Sequence, residues 1–158
     1  MKRWLVGILA VILILIWPWP AIALDLQGLY EQALNASRSG DFVQALPLWD
    51  RVLEQSPRDA AALSNRGNVR LALGDLDGAI EDQTRSIELA PDEADPHLNR
   101  GTAEEALRDW PAAAADYLWI LERQPDDASA LYNLGNVRGS EGDWDRARDL
   151  YGQASLSR

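Results

Sequence analysis

The sequence has no cysteine, one lysine and one histidine. Without cysteine there are no disulfides, thiolate nucleophiles, zinc–thiolate sites or lipidated N-terminal cysteine. The lone histidine, His97, has no second histidine, cysteine or downstream lysine to share proton transfer or metal binding with. It stands in a slot that other parts of the chain fill with leucine, which makes it a packing residue. No glycine-rich phosphate loop is present: Gly74-Asp75 and Gly142-Asp143 read as turns. The acids Asp92, Glu93 and Asp95, and Asp126 with Asp127, precede helix starts and read as solvated first-turn charges. The sequence therefore predicts neither an enzyme nor a resident cofactor or metal.

Basic charge is also scarce. The formal net charge is −10, and the sole lysine is Lys2. Nucleic acid and anionic membrane surfaces call for basic patches, so both are disfavoured as partners.

Charge is missing altogether from Trp4 to Leu24, directly after Lys2 and Arg3. The core of this run, LVGILAVILILIW, reads as the apolar region of an export signal behind a basic start. Pro18 and Pro20 would interrupt a helix, and Ala21-Ile22-Ala23 suits cleavage after Ala23. The rival is an uncleaved anchor over residues 4–24, long enough to span a bilayer, with Trp17 and Trp19 at the interface. Either reading sends the remainder across a membrane, to a periplasm or a thylakoid lumen. Residues 1–23 are thus assigned as signal peptide or anchor, and residues 26–158 as the folded domain.

What the chain does have is a repeat. Pro57, Pro91 and Pro125 are spaced by 34, as are Ala45, Ala79, Ala113 and Ala147. Gly67, Gly101 and Gly135 share that spacing, with Ala33 ahead of them. The units run 26–59, 60–93, 94–127 and 128–158. In each, helical periodicity is broken by a turn, and in the first three it ends near the proline. In the second unit Leu63, Gly67 and Leu71 share one helix face, and Ala79, Ile80, Gln83 and Ile87 share the next. The aspartates Asp41, Asp75, Asp109 and Asp143 stand where a second helix needs a cap. Pro47 lies inside the first unit's second helix and predicts a mild bend.

These residues resemble the tetratricopeptide repeat. The bulky slot holds Leu29, Leu63, His97 or Leu131. The residue after the turn aspartate is Phe42, Leu76, Trp110 or Trp144, and the later aromatic slot holds Trp49, Gln83, Tyr117 or Tyr151. The resemblance implies an all-α, right-handed superhelix of four antiparallel helix pairs. It further implies a concave groove, lined by first helices, that takes a peptide or protein segment. The matching positions are Tyr30, Leu34, Arg38, Ser64, Asn68, Leu71, Leu98, Thr102, Glu105, Tyr132 and Asn136. Tyr30 and Tyr132, near the two ends, are the expected anchors. Exported proteins of this family commonly help assemble or maintain membrane complexes; a fixed structural or regulatory subunit of one complex is the alternative. Family members that grip acidic chaperone tails do so with basic residues beside asparagines. Here those slots hold Ser64, Asn68, Asn99, Ser129 and Asn133, or Tyr30, Leu34, Asn65, Asp95 and Asn99 in the other register, so every basic slot is empty.

Three slot comparisons sharpen the expectation. Arg66 and Arg100 become Leu134 in the last unit, while Asp82 and Asp116 become Leu150. The joint change favours structural ion pairs, Arg66–Asp82 and Arg100–Asp116, over an acidic-ligand site. Leu46, Ile80 and Ala114 become Arg148, and Leu53, Ile87 and Leu121 become Ser155, which predicts a final helix made polar where a fifth unit would pack. Leu118 and Trp119 stand where the other units have Asp50 and Arg51, Thr84 and Arg85, or Gly152 and Gln153, so they are a candidate convex contact with a partner, a second copy or lipid; the other reading folds Trp119 down onto its own helix. The sequence leaves the oligomeric state open.

Overall fold

The computed structural model describes residues 19–157. Among them are eight helices: α1 (Trp19–Arg38), α2 (Phe42–Gln55), α3 (Ala60–Leu73), α4 (Leu76–Leu89), α5 (Ala94–Ala106), α6 (Trp110–Arg123), α7 (Ala128–Ser140) and α8 (Trp144–Leu156). They pack as four antiparallel pairs, each stacked on the next. The first helices of successive units also touch: α1 meets α3, α3 meets α5 and α5 meets α7. No second helix reaches the second helix of the next unit. The stack therefore curves, with α1, α3, α5 and α7 on the inside.

Local chemistry sets the helix boundaries. Asp41, Asp75, Asp109 and Asp143 each accept the backbone N–H three residues on, at 3.1 to 3.2 Å. That satisfies a donor with no intrahelical partner. Asp59 and Asp127 do the same for α3 and α7. Gly40, Gly74 and Gly142 open the preceding turns with positive φ. In the third unit that slot is held by Arg108, with φ of 63°. A side chain there is strained by contact between Cβ and the backbone. Arg108→Gly is expected to raise stability by about 1 kcal/mol in urea unfolding. Pro47 leaves α2 unbroken. The N–H it lacks would have met the carbonyl of Val43, a residue on the exposed side of the helix.

The small slots are where the helices of a pair come closest. A Cβ on Gly101 would lie 2.7 Å from the Tyr117 ring, and one on Gly135 would lie 2.6 Å from the Tyr151 ring. On Gly67 it would meet the Gln83 amide. Side chains of α4, α6 and α8 thus rest directly on the backbone of α3, α5 and α7.

The apolar interior is split in two. One cluster centres on Leu29, Trp49, Val52, Leu63 and Val69, the other on Ala113, Tyr117, Leu134 and Val137. Between them lie buried polar residues: Asp82, Gln83, Ser86, His97 and Asp116.

At the N-terminal end the structure extends the first unit. Helix α1 begins at Trp19, ahead of the expected boundary at residue 26, with Pro20 in its first turn, where a missing N–H costs nothing. The cleavage site expected after Ala23 falls within this helix. Residues 1–18, most of the export or anchor segment, lie outside the described residues. Among the described residues no helix is long and apolar enough to cross a membrane. On α8, Arg148 and Ser155 are exposed, as the slot comparison anticipates. Trp144 is 71% and Leu156 85% exposed, so that helix is not uniformly polar.

Candidate functional site

The inner face is a row of first-helix side chains, several of them held from behind. Trp49 donates its indole N–H to Ser37 (2.9 Å). Gln83 donates its amide to Asn68 Oδ1 (2.8 Å) and to the Ser64 carbonyl (3.0 Å). Tyr117 donates its hydroxyl to Glu105 (3.1 Å), and Tyr151 donates to Asn136 (2.9 Å). The repeated aromatic slot thus reaches past the small slot and fixes a polar group in each unit. Burial above all, with the Glu105 charge and the bond to it, outweighs the opposing pull of Thr102 and keeps the Tyr117 phenol protonated well above its usual range, so it stays a donor.

The ends of the row are aromatic. Tyr30 packs edge-on against Trp49, with ring centroids 4.9 Å apart. Tyr132 leans on Tyr151 at 5.4 Å and is 54% exposed. Between them lies a pocket of about 390 Å³, lined by Ser64, Asn65 and Asn68 of α3 and by Glu93, Asp95 and Pro96 at the start of α5. Leu34 and Leu98 are half-buried and partly absorbed into the two clusters. Leu71 is half-buried, and Thr102 is exposed with its hydroxyl bonded to the Leu98 carbonyl. Arg38 is exposed at the end of α1. The sequence passed over Asn65, Glu93 and Asp95 as pocket-lining residues. In the slot comparison Asn65 matched an asparagine slot, while Asp95 stood where a basic residue was required.

Behind the groove, the arginines hold more than their own pairs. Arg66 grips Asp82 with two bonds, Nε to Oδ2 (2.8 Å) and Nη2 to Oδ1 (2.7 Å). Its Nη1 reaches back to Asp50 of the preceding unit at 2.8 Å. Arg70 adds a contact to Asp82 at 3.1 Å. One period later, Arg100 grips Asp116 at 2.7 and 2.8 Å and reaches back to Thr84 at 3.1 Å. Each arginine therefore joins three helices and seals unit to unit. The spacing of sixteen runs in both directions: 50–66–82, then 84–100–116, then 118–134–150. Leu118 thus occupies the slot that meets the next unit's arginine, and the next unit offers Leu134 instead.

The structure separates Leu118 from Trp119. Leu118 is exposed. Trp119 is not the exposed ring that its slot suggested, nor is it folded only onto its own helix. It stacks face to face on His97 of α5, centroids 3.8 Å apart, and the Arg123 guanidinium covers its ring at 3.8 Å. Cation and imidazole both favour the indole face. His97 itself is buried and pairs through Nδ1 with Asp116 Oδ1 at 2.7 Å. Its Nε2 is buried with no partner among the described residues, so this histidine does more than fill a leucine slot.

Comparison with known proteins accords with this geometry. The tetratricopeptide repeat pattern matches residues 30–94 and 98–158. Tetratricopeptide repeat protein 36 of Danio rerio is 32% identical over 63 residues, 40% of this chain and 34% of that protein, so the chain spans about a third of that relative. Among solved structures, MamA from Desulfovibrio magneticus (residues 41 to the end) superposes with a TM-score of 0.78 at 18% identity, over 84% of this chain and 75% of that one. The first tetratricopeptide domain of Spaghetti (RPAP3), bound to an HSP90 peptide, superposes with a TM-score of 0.71 at 20% identity, over 74% and 93%. At such identities the superpositions establish the fold. With four helix pairs set on a 34-residue period, a tyrosine resting on the small-slot glycine in two of them and a family match over most of its length, the chain belongs to the tetratricopeptide repeat family of protein-interaction scaffolds.

Proposed function

We propose that the groove of α1, α3, α5 and α7 binds a segment of a partner protein, and that this segment is neutral or basic. The observation that carries the reading is the row of groove groups pinned from the second helices: Ser37, Asn68, Glu105 and Asn136. Groups fixed in advance lose little entropy on binding. Tyr30 and Tyr132 supply anchors at the two ends, each offering area and a polar tip. Glu93, Asp95 and Glu105 outnumber Arg38 along the row, which disfavours an acidic tail such as that carried by the HSP90 peptide in the RPAP3 complex.

The basic-then-apolar start of the chain supports export, to a periplasm or thylakoid lumen, and a role in assembling or maintaining a membrane complex there. A fixed subunit of one complex is the second reading, favoured by the exposed Trp144 and Leu156 on α8, away from the inner face. Crosslinking and mass spectrometry on isolated membranes would identify the partner, and N-terminal sequencing of the same sample would settle cleavage. With that partner in hand, Tyr132→Ala is expected to weaken binding by about 2 kcal/mol, roughly thirtyfold, by titration calorimetry. Unchanged affinity for Tyr132→Ala and Tyr30→Ala would move the contact off the groove. Loss of binding on Trp144→Ala alone would favour the fixed-subunit reading.

A further inference from the structure

Unit three rebuilds the ion clip of unit two from titratable parts. In unit two, Asp82 takes donors from Arg66 and Arg70, with Leu63 in the bulky slot. One period on, Asp116 takes donors from Arg100 and His97, and His97 stands in Leu63's slot. Arg70's slot holds Glu104. A carboxyl group has thus replaced a guanidinium beside a buried carboxylate. Glu104 Oε1 is 3.9 Å from Arg100 Nε, and its Oε2 is buried without a partner. The Glu104 side chain is only 14% exposed, so water screens this arrangement poorly.

The surroundings are mixed in sign. On α5 lie Arg100, His97 and Glu105, the last turned toward the Tyr117 hydroxyl. From the α6 side come Asp116 and Asp109, and Arg123 beyond Trp119. From α4 the group bonded to Arg100 is the neutral Thr84. Among the described residues, no charged side chain of α7 is ion-paired with the cluster.

We propose that Glu104 is a proton-operated latch between units two and three. With Glu104 protonated, Arg100 is committed to Asp116 and Thr84, and α5 is fastened to α4. When Glu104 releases its proton to solvent, a second carboxylate competes with Asp116 for Arg100, and the joint loosens. Burial, then the Asp116 charge, pushes the Glu104 carboxyl up to about 7 against the pull of Arg100, with Asp109 adding to the rise. An unfolded glutamate ionises near 4.5. Between these values the closed form holds the extra proton, so closure is strongest below the window, weakens as pH rises through it and levels off above about 7.

Hydrogen exchange on the full-length chain in mild non-ionic detergent, corrected for the intrinsic rate, tests this. Protection in α5 and α6 should fall about tenfold between roughly pH 6 and pH 8. Protection in α3 and α4, whose clip has an arginine where α5 has Glu104 and a leucine where α5 has His97, should hold. Glu104→Gln should keep α5 and α6 protected at both pH values, and His97→Leu should preserve the fall. A fall that persists in Glu104→Gln, or that vanishes only in His97→Leu, would overturn the assignment. So would wild-type protection that is independent of pH, or an equal loss in α3 and α4; these two readouts need no variant to fold.

Discussion

Asp82→Leu is expected to cost about 3 kcal/mol or more in urea unfolding. Asp82 is fully buried and takes two bonds from Arg66 and a contact from Arg70. Removing it takes from Arg66 its two-bond partner and from Arg70 its buried acid, leaving Arg70 the Gly78 carbonyl and the exposed Asp75. Asp50, which is about half exposed, is the acid left to Arg66, so the loss should fall toward the lower end for a broken buried pair. Arg66→Leu should cost a similar amount, because it leaves the buried carboxylate to Arg70 alone. The double replacement installs the leucine pair of Leu134 and Leu150 and should return to within about 1 kcal/mol of the parent. The cycle would then give a coupling above about 2 kcal/mol. A coupling near zero would mean that the two residues stabilise the fold independently and that the shared slots have another cause.

Gly101→Val is expected to cost about 3 kcal/mol. Its Cβ alone would lie 2.7 Å from the Tyr117 ring, well inside contact distance. The ring cannot step aside. It is fully buried in the second cluster, and its hydroxyl is tied to Glu105. Gly152 in α8 is the control, since an added Cβ there meets nothing within 4 Å. Gly152→Ala should stabilise by about 0.5 to 1 kcal/mol through helix propensity alone. Thermal unfolding of the two variants should therefore shift in opposite directions. The Gly101 change should also loosen Glu105, linking a packing fault to the groove.

These contacts were not equally legible in the sequence. The period of 34, the helix pairs and the aspartate caps follow from positions that any helix stack needs, and the structure has them. The Arg66–Asp82 pairing was readable because both slots change together. The reach of Arg66 to Asp50 was missed, although the same spacing of sixteen, counted backward, points to it. The same register places Leu118 sixteen residues ahead of Leu134, in the slot of Asp50 and Thr84, and its side chain stays exposed. Trp119 was harder. Nothing in its own helix announces a stack on His97, because that contact depends on how α5 and α6 cross. Asn68 and Asn136 were expected in the groove from the resemblance, but nothing in the sequence announced the bonds by which Gln83 and Tyr151 hold them.

The two apolar clusters, with a polar band between them, carry a kinetic consequence. Nearly every contact joins neighbouring helices, so little chain must be closed into loops before native packing begins. Either cluster can serve as a starting point, one from the first two units and the other from the last two. The two growing fronts then meet where Asp82, His97 and Asp116 lie. Unlike greasy surfaces, charged partners gain little until geometry is nearly complete. The last event of assembly, and the first to reverse under heat or pulling, is therefore the closing of Arg100 across that band.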